Sequence, residues 1–190
     1  MTIPGSTTPA AAAARTGLVA AAALAGVAVP GCAAIPTGEP TLVMSCATSR
    51  FSAPYQSIDP CDATAVIRAA AETVFSYRPA TQPDPGTALF AAAGLLDPGY
   101  LERTRASTGL LDPAASADWD DWSGRGVSVV ATARITGDDH PPDTPRRASR
   151  VVAVTQQPSD ATAARRLTVY MTAVRDRPTH AWRIDQMHTK

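Results

Sequence analysis

The sequence predicts an α+β domain in which N-terminal helices pack on a curved antiparallel sheet of about four strands. Two observations lead to this class. Between residues 62 and 126 apolar residues recur at helical spacing, whereas from residue 127 onward they alternate with polar residues. Segments rich in Pro, Gly and Asp separate these stretches, as in turns. Helices followed by a run of strands favour an antiparallel sheet with the helices on one face.

Three helices are predicted, each bounded by a capping or a terminating residue. Asp62 is a candidate N-cap for the first helix, which should stop before Pro79 because a residue that precedes proline resists the helical region. The pair Asp112-Pro113 is a good start for the third helix, with a capping carboxylate and proline at the first helical position. The predicted helices are 62–77, 87–96 and 112 to about 124–126, with one more turn at 99–104.

Four strands are predicted after the third helix. Val127, Val129, Ala131, Ala133 and Ile135 alternate with polar residues, which is typical of a strand with one buried face. Polar, proline-containing segments then separate the strands, as expected for hairpin loops. The predicted strands are 127–136, 148–157, 167–175 and 180–188.

The N-terminal segment has the features of an export signal. A single basic residue, Arg15, precedes an apolar run over residues 16–29, and small residues surround Cys32. The run Val29-Pro30-Gly31-Cys32 resembles the cleavage site of a bacterial lipoprotein, in which a peptidase cuts before the cysteine. The resemblance implies that Cys32 carries lipid and holds the protein at the extracytoplasmic face of the cell membrane.

Two other interpretations of this segment stay open. Residues 17–36 could remain as an uncleaved anchor, since about 20 apolar residues span a bilayer. A signal peptidase could instead cut near Ala34 and release a soluble protein. The predicted domain organisation is a signal or anchor at 1–31, a tether at 32–60 that is rich in Pro, Gly and Ser, and the α+β domain at 61–190.

The three cysteines are Cys32, Cys46 and Cys61. If Cys32 is acylated or removed, the other two form an even pair in an oxidising compartment, which favours a Cys46–Cys61 disulfide. Such a bridge would close a loop of about 16 residues and would stabilise the fold by roughly 3 kcal/mol on the chain-entropy model. Two free thiols remain the alternative. No spacing of cysteines and histidines indicates a zinc site.

Composition excludes some function classes. The full chain has 17 basic and 17 acidic residues, so its net charge gives no reason to expect binding to nucleic acid or to anionic membranes in general. The abundance of alanine, and of arginine over lysine, is typical of a GC-rich genome and indicates an actinobacterial source. No cofactor is expected.

The layout of the domain resembles the cystatin-like cone of the nuclear-transport-factor-two superfamily. The residues that carry the resemblance are the first helix, Trp119 and Trp122 before the first strand, and the closing segment Ala181-Trp182-Arg183-Ile184-Asp185. Exported members in actinobacteria include Mce-associated proteins and assembly domains of conjugation or type IV secretion machines. The resemblance implies an interaction or assembly module of the cell envelope, with protein partners and possible homo-oligomers.

A second hypothesis is a lipoprotein that holds a small apolar ligand inside the cone. A filled core is the default expectation; if a cavity is present instead, the side chains that line it are Val66, Val74, Val129, Ala131, Met171 and Trp182. A third hypothesis is an isomerase or hydrolase of the cone type, but an enzyme is not expected. The histidines, His140, His180 and His188, fall in loops or beside the last strand, away from inward positions where a general base would meet a substrate.

Two charged clusters are candidate binding sites, one for a cation and one for a partner. Asp138, Asp139, His140 and Asp143 could offer oxygen ligands to a divalent cation, but a polar hairpin loop is the preferred interpretation, and no metal is predicted. Arginines near the ends of the second and third strands would form a basic rim for a partner if those ends are adjacent, but ordinary solubilising charge at strand ends is the preferred interpretation. These arginines are Arg146, Arg147, Arg150, Arg165 and Arg166.

Overall fold

A computed structural model describes residues 50–107 and 111–190. The chain divides into two units, Met1–Thr41 and Leu42–Lys190, and all described residues belong to the second. Cys32, Cys46, the predicted signal or anchor and most of the predicted tether therefore lie outside the described residues. Among the described helices, none has the length and apolar character needed to cross a membrane.

The described part of the chain has four α-helices and one short 3-10 helix, followed by a four-stranded sheet. Aspartates begin three of the helices, because the Asp62, Asp97 and Asp112 side chains each accept a backbone N–H of the first turn. Gly126 ends the last helix at a positive φ of 68°, which glycine adopts without strain. The helices are α1 Ala63–Val74, α2 Gly86–Ala91, the 3-10 helix Ala93–Leu95, α3 Pro98–Thr104 and α4 Pro113–Arg125.

Two helices differ from the sequence-based prediction. The first ends at Val74, short of the predicted Tyr77, because Tyr77 exchanges backbone hydrogen bonds of 2.8 and 2.9 Å with Val129. The second is broken after Ala91, where the Tyr55 hydroxyl donates to the Ala91 carbonyl at 2.9 Å. In both places tertiary contacts outweigh helix propensity.

The sheet is antiparallel throughout, in the order β1-β2-β3-β4. This arrangement confirms the α+β class. One irregularity in register lies between Thr172 and Ala173. The strands are β1 Val129–Ile135, β2 Arg147–Pro158, β3 Arg165–Val174 and β4 Arg183–Thr189.

The main core lies between α1 and one side of the sheet. Val66 and Ile67 of α1 are fully buried in the same cluster as Val152, Val169 and Ile184 of the strands. Burial of these apolar surfaces is the principal stabilising contribution.

Packing on the core begins upstream of residue 61. Phe51 and Tyr55 are buried members of the core cluster, and the backbone N–H of Trp182 donates to the Pro60 carbonyl at 2.9 Å. Cys61 is disulfide-bonded. Because Cys32 and Cys46 lie outside the described residues, the pairing with Cys46 stays a prediction.

Both edge strands are covered by neighbouring segments. Along β1, the Ala131 N–H donates to Ser76 Oγ at 2.9 Å and the Ala133 N–H donates to Glu72 Oε1 at 3.3 Å. Side chains of α1 and of the residues that follow it therefore accept these two N–H groups of the edge strand. Along β4, the Asp97 N–H donates to the Ile184 carbonyl at 2.8 Å, and the Tyr100 hydroxyl donates to the Met187 carbonyl at 3.4 Å.

Candidate functional site

The six residues predicted to line a cavity are all buried. Val66, Val74, Ala131, Met171 and Trp182 belong to the main core cluster, and Val129 belongs to a second cluster with Tyr77, Trp119 and Trp122. Each is at most 5 % exposed. Val129 and Ala131 also contribute to an open groove beside β1, described below, and Met171 contributes to a small pocket on the other side of the sheet.

A buried carboxylate organises the second cluster. Asp112 is 2 % exposed, and its oxygens accept four hydrogen bonds. The donors are the Tyr77 hydroxyl at 3.1 Å, Gln156 Nε2 at 3.0 Å, Arg165 Nη2 at 3.0 Å and the Ala115 N–H at 3.0 Å. The carboxylate therefore joins the start of α4 to the segment after α1 and to two strands.

Arg165 carries the compensating charge. Its guanidinium lies 5.4 Å from the centre of the Trp122 ring and 3.7 Å from the exposed Asp118 carboxylate. Arg165 Nη1 and Gln156 Oε1 are buried atoms that have no hydrogen-bond partner within residues 50–107 and 111–190. Four acceptor contacts saturate the Asp112 carboxylate, which favours a structural role for this group over general-base chemistry.

Burial raises the pKa of two tyrosines. Burial, with the Asp112 carboxylate as the next cause, holds the pKa of Tyr77 far above its ordinary value. Burial likewise raises the pKa of Tyr100 to about 12. A phenol that ionises less readily when folded stabilises the fold below the unfolded pKa, and this contribution is lost as pH rises through the folded pKa.

We therefore expect the free energy of unfolding to fall as pH rises above about 10, the pKa of an unfolded tyrosine. Tyr100→Phe should flatten this dependence between pH 10 and 12, because the variant has no phenol to ionise at that position. Urea unfolding followed at several alkaline pH values measures the slope. If the free energy of unfolding of the wild type and of Tyr100→Phe fell in parallel with pH, a raised pKa of Tyr100 would be contradicted.

The predicted histidine and aspartate candidates do not converge. His188 stacks on Tyr170, with ring centres 5.2 Å apart, and His140 Nδ1 lies 2.9 Å from the Pro141 carbonyl. Asp143 is held by Arg150 through contacts of 2.6 and 2.7 Å, which lower the pKa of that carboxyl. Within residues 50–107 and 111–190, no group of three His, Cys, Asp or Glu is placed to hold a metal ion.

The arginines do not form the basic rim, and ordinary charge at strand ends stays the preferred interpretation. In the antiparallel pair β2 and β3, Arg147 lies opposite Val174 and Arg165 lies opposite Gln156. Arginines near the start of β2 are therefore separated by the length of the strands from those at the start of β3. The arginines of β3 also face opposite sides of the sheet, since Arg165 contacts Asp112 on the helix side and Arg166 follows it directly.

A different grouping of charge emerges on the side of the sheet opposite α1, here called the outer face. By strand alternation it carries Arg134, Arg147 and Arg166, and Lys190 continues the side occupied by His188. Asp185 is the only acidic residue in the four strands. It lies at the irregularity of β4, where its carboxylate pairs with Arg103 of α3 at 2.9 Å and also lies 4.0 Å from the Arg147 guanidinium, which it partly compensates.

Uncharged residues of the outer face are mainly hydroxylic or aromatic. Thr132 and Thr168 are exposed, and the Ser149 and Thr172 hydroxyl oxygens lie 3.0 Å apart. The stacked rings of Tyr170 and His188 stand beside a pocket of about 270 Å³. The acidic residues of α4, which are Asp118, Asp120 and Asp121, are also exposed, but they lie on that helix and not on the outer face. A neutral total charge therefore conceals local segregation, which strand alternation could have revealed.

A groove of about 800 Å³ runs between α1 and the edge strand β1. Tyr55 and Ile58 contribute to one part of its lining, and Ala69, Val130 and Ala131 contribute to the rest. Val130 is 60 % exposed. The groove is open to solvent and lies on the surface, in contrast to the predicted internal cavity.

Compared with known proteins, the chain matches no protein family, no curated protein and no solved structure.

Proposed function

We propose that this protein is an interaction module of the cell envelope, attached to the extracytoplasmic face of the membrane, and that it binds an acidic surface of a protein partner on its outer face. The observation that supports the docking surface is the charge of that face. Arg134, Arg166 and Lys190 have no ion-pair partner among the described residues, and the strands place no acid beside them.

Charge complementarity selects the partner. Arginine and lysine on a solvent-facing sheet attract carboxylate-rich surfaces, steer association and give it a salt dependence. Hydroxyl groups of Thr132, Thr155 and Thr168, which lie between these cations, can donate to acceptors of the partner. The burial of the predicted lining residues supports an interaction role over carriage of a ligand inside the cone, because these residues belong to the two hydrophobic clusters of the domain.

Photo-crosslinking in an actinobacterial host tests the docking surface. A photoreactive residue at Thr132 or Thr168 should give the same discrete crosslinked species, whereas one at the exposed Asp120 of α4 should not. The double variant Arg134→Glu/Arg166→Glu should abolish that species. A matched control, Arg68→Glu/Arg177→Glu, reverses two exposed arginines elsewhere and should retain it.

Three results would overturn the docking surface: a crosslinked species that survives reversal of Arg134 and Arg166, equal yields from the Asp120 position, or no crosslinked species at all. A species that contains only this chain would replace the acidic partner with a second copy. The acids of α4 would then be the complementary surface.

Intact-mass analysis of protein purified from membranes tests the attachment. Lipidation of Cys32 predicts a diacylglyceryl mass on a chain that begins at Cys32, and this mass should disappear in Cys32→Ala. A full-length, unlipidated mass in the membrane fraction would instead establish an uncleaved N-terminal anchor. A processed chain found only in the medium would contradict membrane attachment.

The groove between α1 and β1 favours one alternative, the binding of a small apolar ligand. Its volume of about 800 Å³ is within the range of ligand sites, and Tyr55, Ile58 and Val130 supply apolar surface. Saturable binding of an apolar fluorescent probe, lost in Ala69→Trp or Val130→Asp, would support this alternative.

A further inference from the structure

A second pocket, of about 600 Å³, lies at the end of the sheet where β3 ends and β4 begins. It forms where residues 50–52, the end of the 3-10 helix and the turn from β3 to β4 meet. Arg50, Arg175 and Arg183 contribute to its lining, together with the apolar side chains of Phe51, Val174 and Ala181. The volume is typical of sites for small organic ligands.

Two of these arginines are held in position before any ligand arrives. Arg175 Nε donates to the Pro145 carbonyl at 2.7 Å, and its guanidinium lies 4.3 Å from the centre of the Trp182 ring. Arg183 Nη1 donates to the Gly94 carbonyl at 2.7 Å, and its guanidinium lies 5.7 Å from the centre of the Phe51 ring. Each contact combines a directional hydrogen bond with a cation–π interaction, which restricts the orientation of the guanidinium.

Most donors of these guanidinium groups remain available. A guanidinium has five N–H groups, and each of these two uses one N–H in the contact with a carbonyl. No described carboxylate forms an ion pair with Arg175 or Arg183, although both line a concave surface. Burial without a compensating anion lowers the pKa of Arg175.

The acidic residues of the pocket leave it with an excess of positive charge. Asp97 and Asp176 contribute to the lining, against the three arginines. Asp97 Oδ1 is occupied as the cap of α3, where it accepts the Tyr100 N–H at 3.1 Å. An anion that enters the pocket would meet two oriented guanidinium groups and an apolar wall.

We propose that this pocket binds a small amphipathic oxyanion, whose carboxylate or phosphate group is held by Arg175 and Arg183 and whose apolar part rests on Phe51, Val174 and Ala181. Both kinds of head group present the paired oxygens that guanidinium groups bind best. The site does not depend on the proposed docking residues, because Arg134, Arg166 and Lys190 do not line the pocket; the pocket lies at the end of the sheet where Val174 and Arg183 pair beside Arg147.

Titration calorimetry tests the site with four probes: octanoate, octyl phosphate, inorganic phosphate and the uncharged octanol. Octanoate and octyl phosphate distinguish the two head groups, and the other two probes separate the contributions of charge and apolar surface. We expect at least one of the octyl anions to bind saturably, and more tightly than octanol. Because Trp182 lies beneath Arg175, binding should also change tryptophan fluorescence.

Arg175→Gln and Arg183→Gln should each weaken binding of the octyl anion about tenfold, as expected for the loss of a hydrogen bond to a charged group. Arg68→Gln, at an exposed position of α1, is the matched control and should bind like the wild type. Circular dichroism and thermal unfolding verify the fold of each variant. If Arg175→Gln fails to fold, Arg183→Gln alone decides, since the Arg183 guanidinium contacts the exposed Gly94 and one side of the Phe51 ring and does not stack on Trp182.

Absence of saturable binding by all four probes up to about 10 mM would overturn the proposal, since that limit corresponds to less than about 3 kcal/mol of binding free energy. Equal affinities for octanol and the anions would overturn it as well, because the arginines would then contribute nothing. Unchanged affinity in both folded arginine variants would have the same meaning. Loss of crosslinking at the outer face would leave these measurements unaffected, so the two proposals fail separately.

Discussion

Asp112→Ala is expected to lower the free energy of unfolding by about 3–5 kcal/mol, the usual effect of removing one partner of a buried ion pair. The carboxylate is 2 % exposed and accepts bonds from Tyr77, Gln156 and Arg165, besides capping α4. Its removal would leave the Arg165 cation without its buried carboxylate partner and the Gln156 amide with the Phe75 carbonyl as its remaining acceptor. Urea denaturation followed by circular dichroism measures the change.

Three further variants separate the contributions at this site. Asp118→Ala, which removes an exposed carboxylate 3.7 Å from Arg165, should cost less than about 1 kcal/mol. Asp112→Asn keeps a side chain that can cap α4, so its loss in the free energy of unfolding should fall between those of Asp112→Ala and Asp118→Ala. In the double variant Asp112→Ala/Arg165→Met, part of the loss should be recovered, because no unpaired charge is buried. An Asp112→Ala variant as stable as Asp118→Ala would contradict the central role of Asp112.

Trp182→Ala should lower the free energy of unfolding by about 3–5 kcal/mol, as is usual for removal of a large core side chain. Trp182 is 5 % exposed, and its Nε1–H donates to the Cys61 carbonyl at 3.0 Å. Trp182→Phe keeps an aromatic ring and loses this bond, so its cost should be smaller, about 1–2 kcal/mol. The difference between the variants, measured by urea denaturation, isolates the contribution of the ring.

Limited proteolysis gives a second measurement of the same contact. The ring and backbone of Trp182 hold residues 60 and 61 against β4, so Trp182→Ala should increase cleavage between residues 52 and 60. Trp182→Phe should show a smaller increase, because it keeps an aromatic ring in the core, whereas both variants keep the backbone N–H that donates to the Pro60 carbonyl. Equal cleavage of all three proteins would mean that other contacts, such as those of Phe51 and Tyr55, hold this segment.

The order of elements could be predicted because its determinants are local. The cap at Asp112, the proline after it and the alternation along β1 are all visible in short stretches of sequence, and the structure contains the corresponding elements. The early end of α1 could not be predicted in this way. It depends on the pairing of Tyr77 with Val129, residues far apart in the chain, and such pairing is visible only in the folded structure.

The candidate sites were harder to predict for the same reason. Position in the chain alone puts the arginines of β2 and β3 in one group. Their location in the fold depends on strand direction and on which side chain faces outward. Gln156 left a detectable signal, since a polar residue follows Val152 and Val154 at an inward position. The sequence around its partner Asp112 indicates a helix cap. It does not indicate that three side chains donate to this carboxylate, because they come from distant segments.

The covered strand edges have a consequence for how copies of this protein can associate with one another. Ser76 and Glu72 occupy N–H groups along β1, and the segment around Asp97 occupies the edge of β4. Two molecules therefore cannot join their sheets into a continuous ribbon without first displacing these groups, which disfavours open-ended polymers. Self-association would have to bring side chains of two faces together, and such contacts close into a dimer where both molecules use the same face.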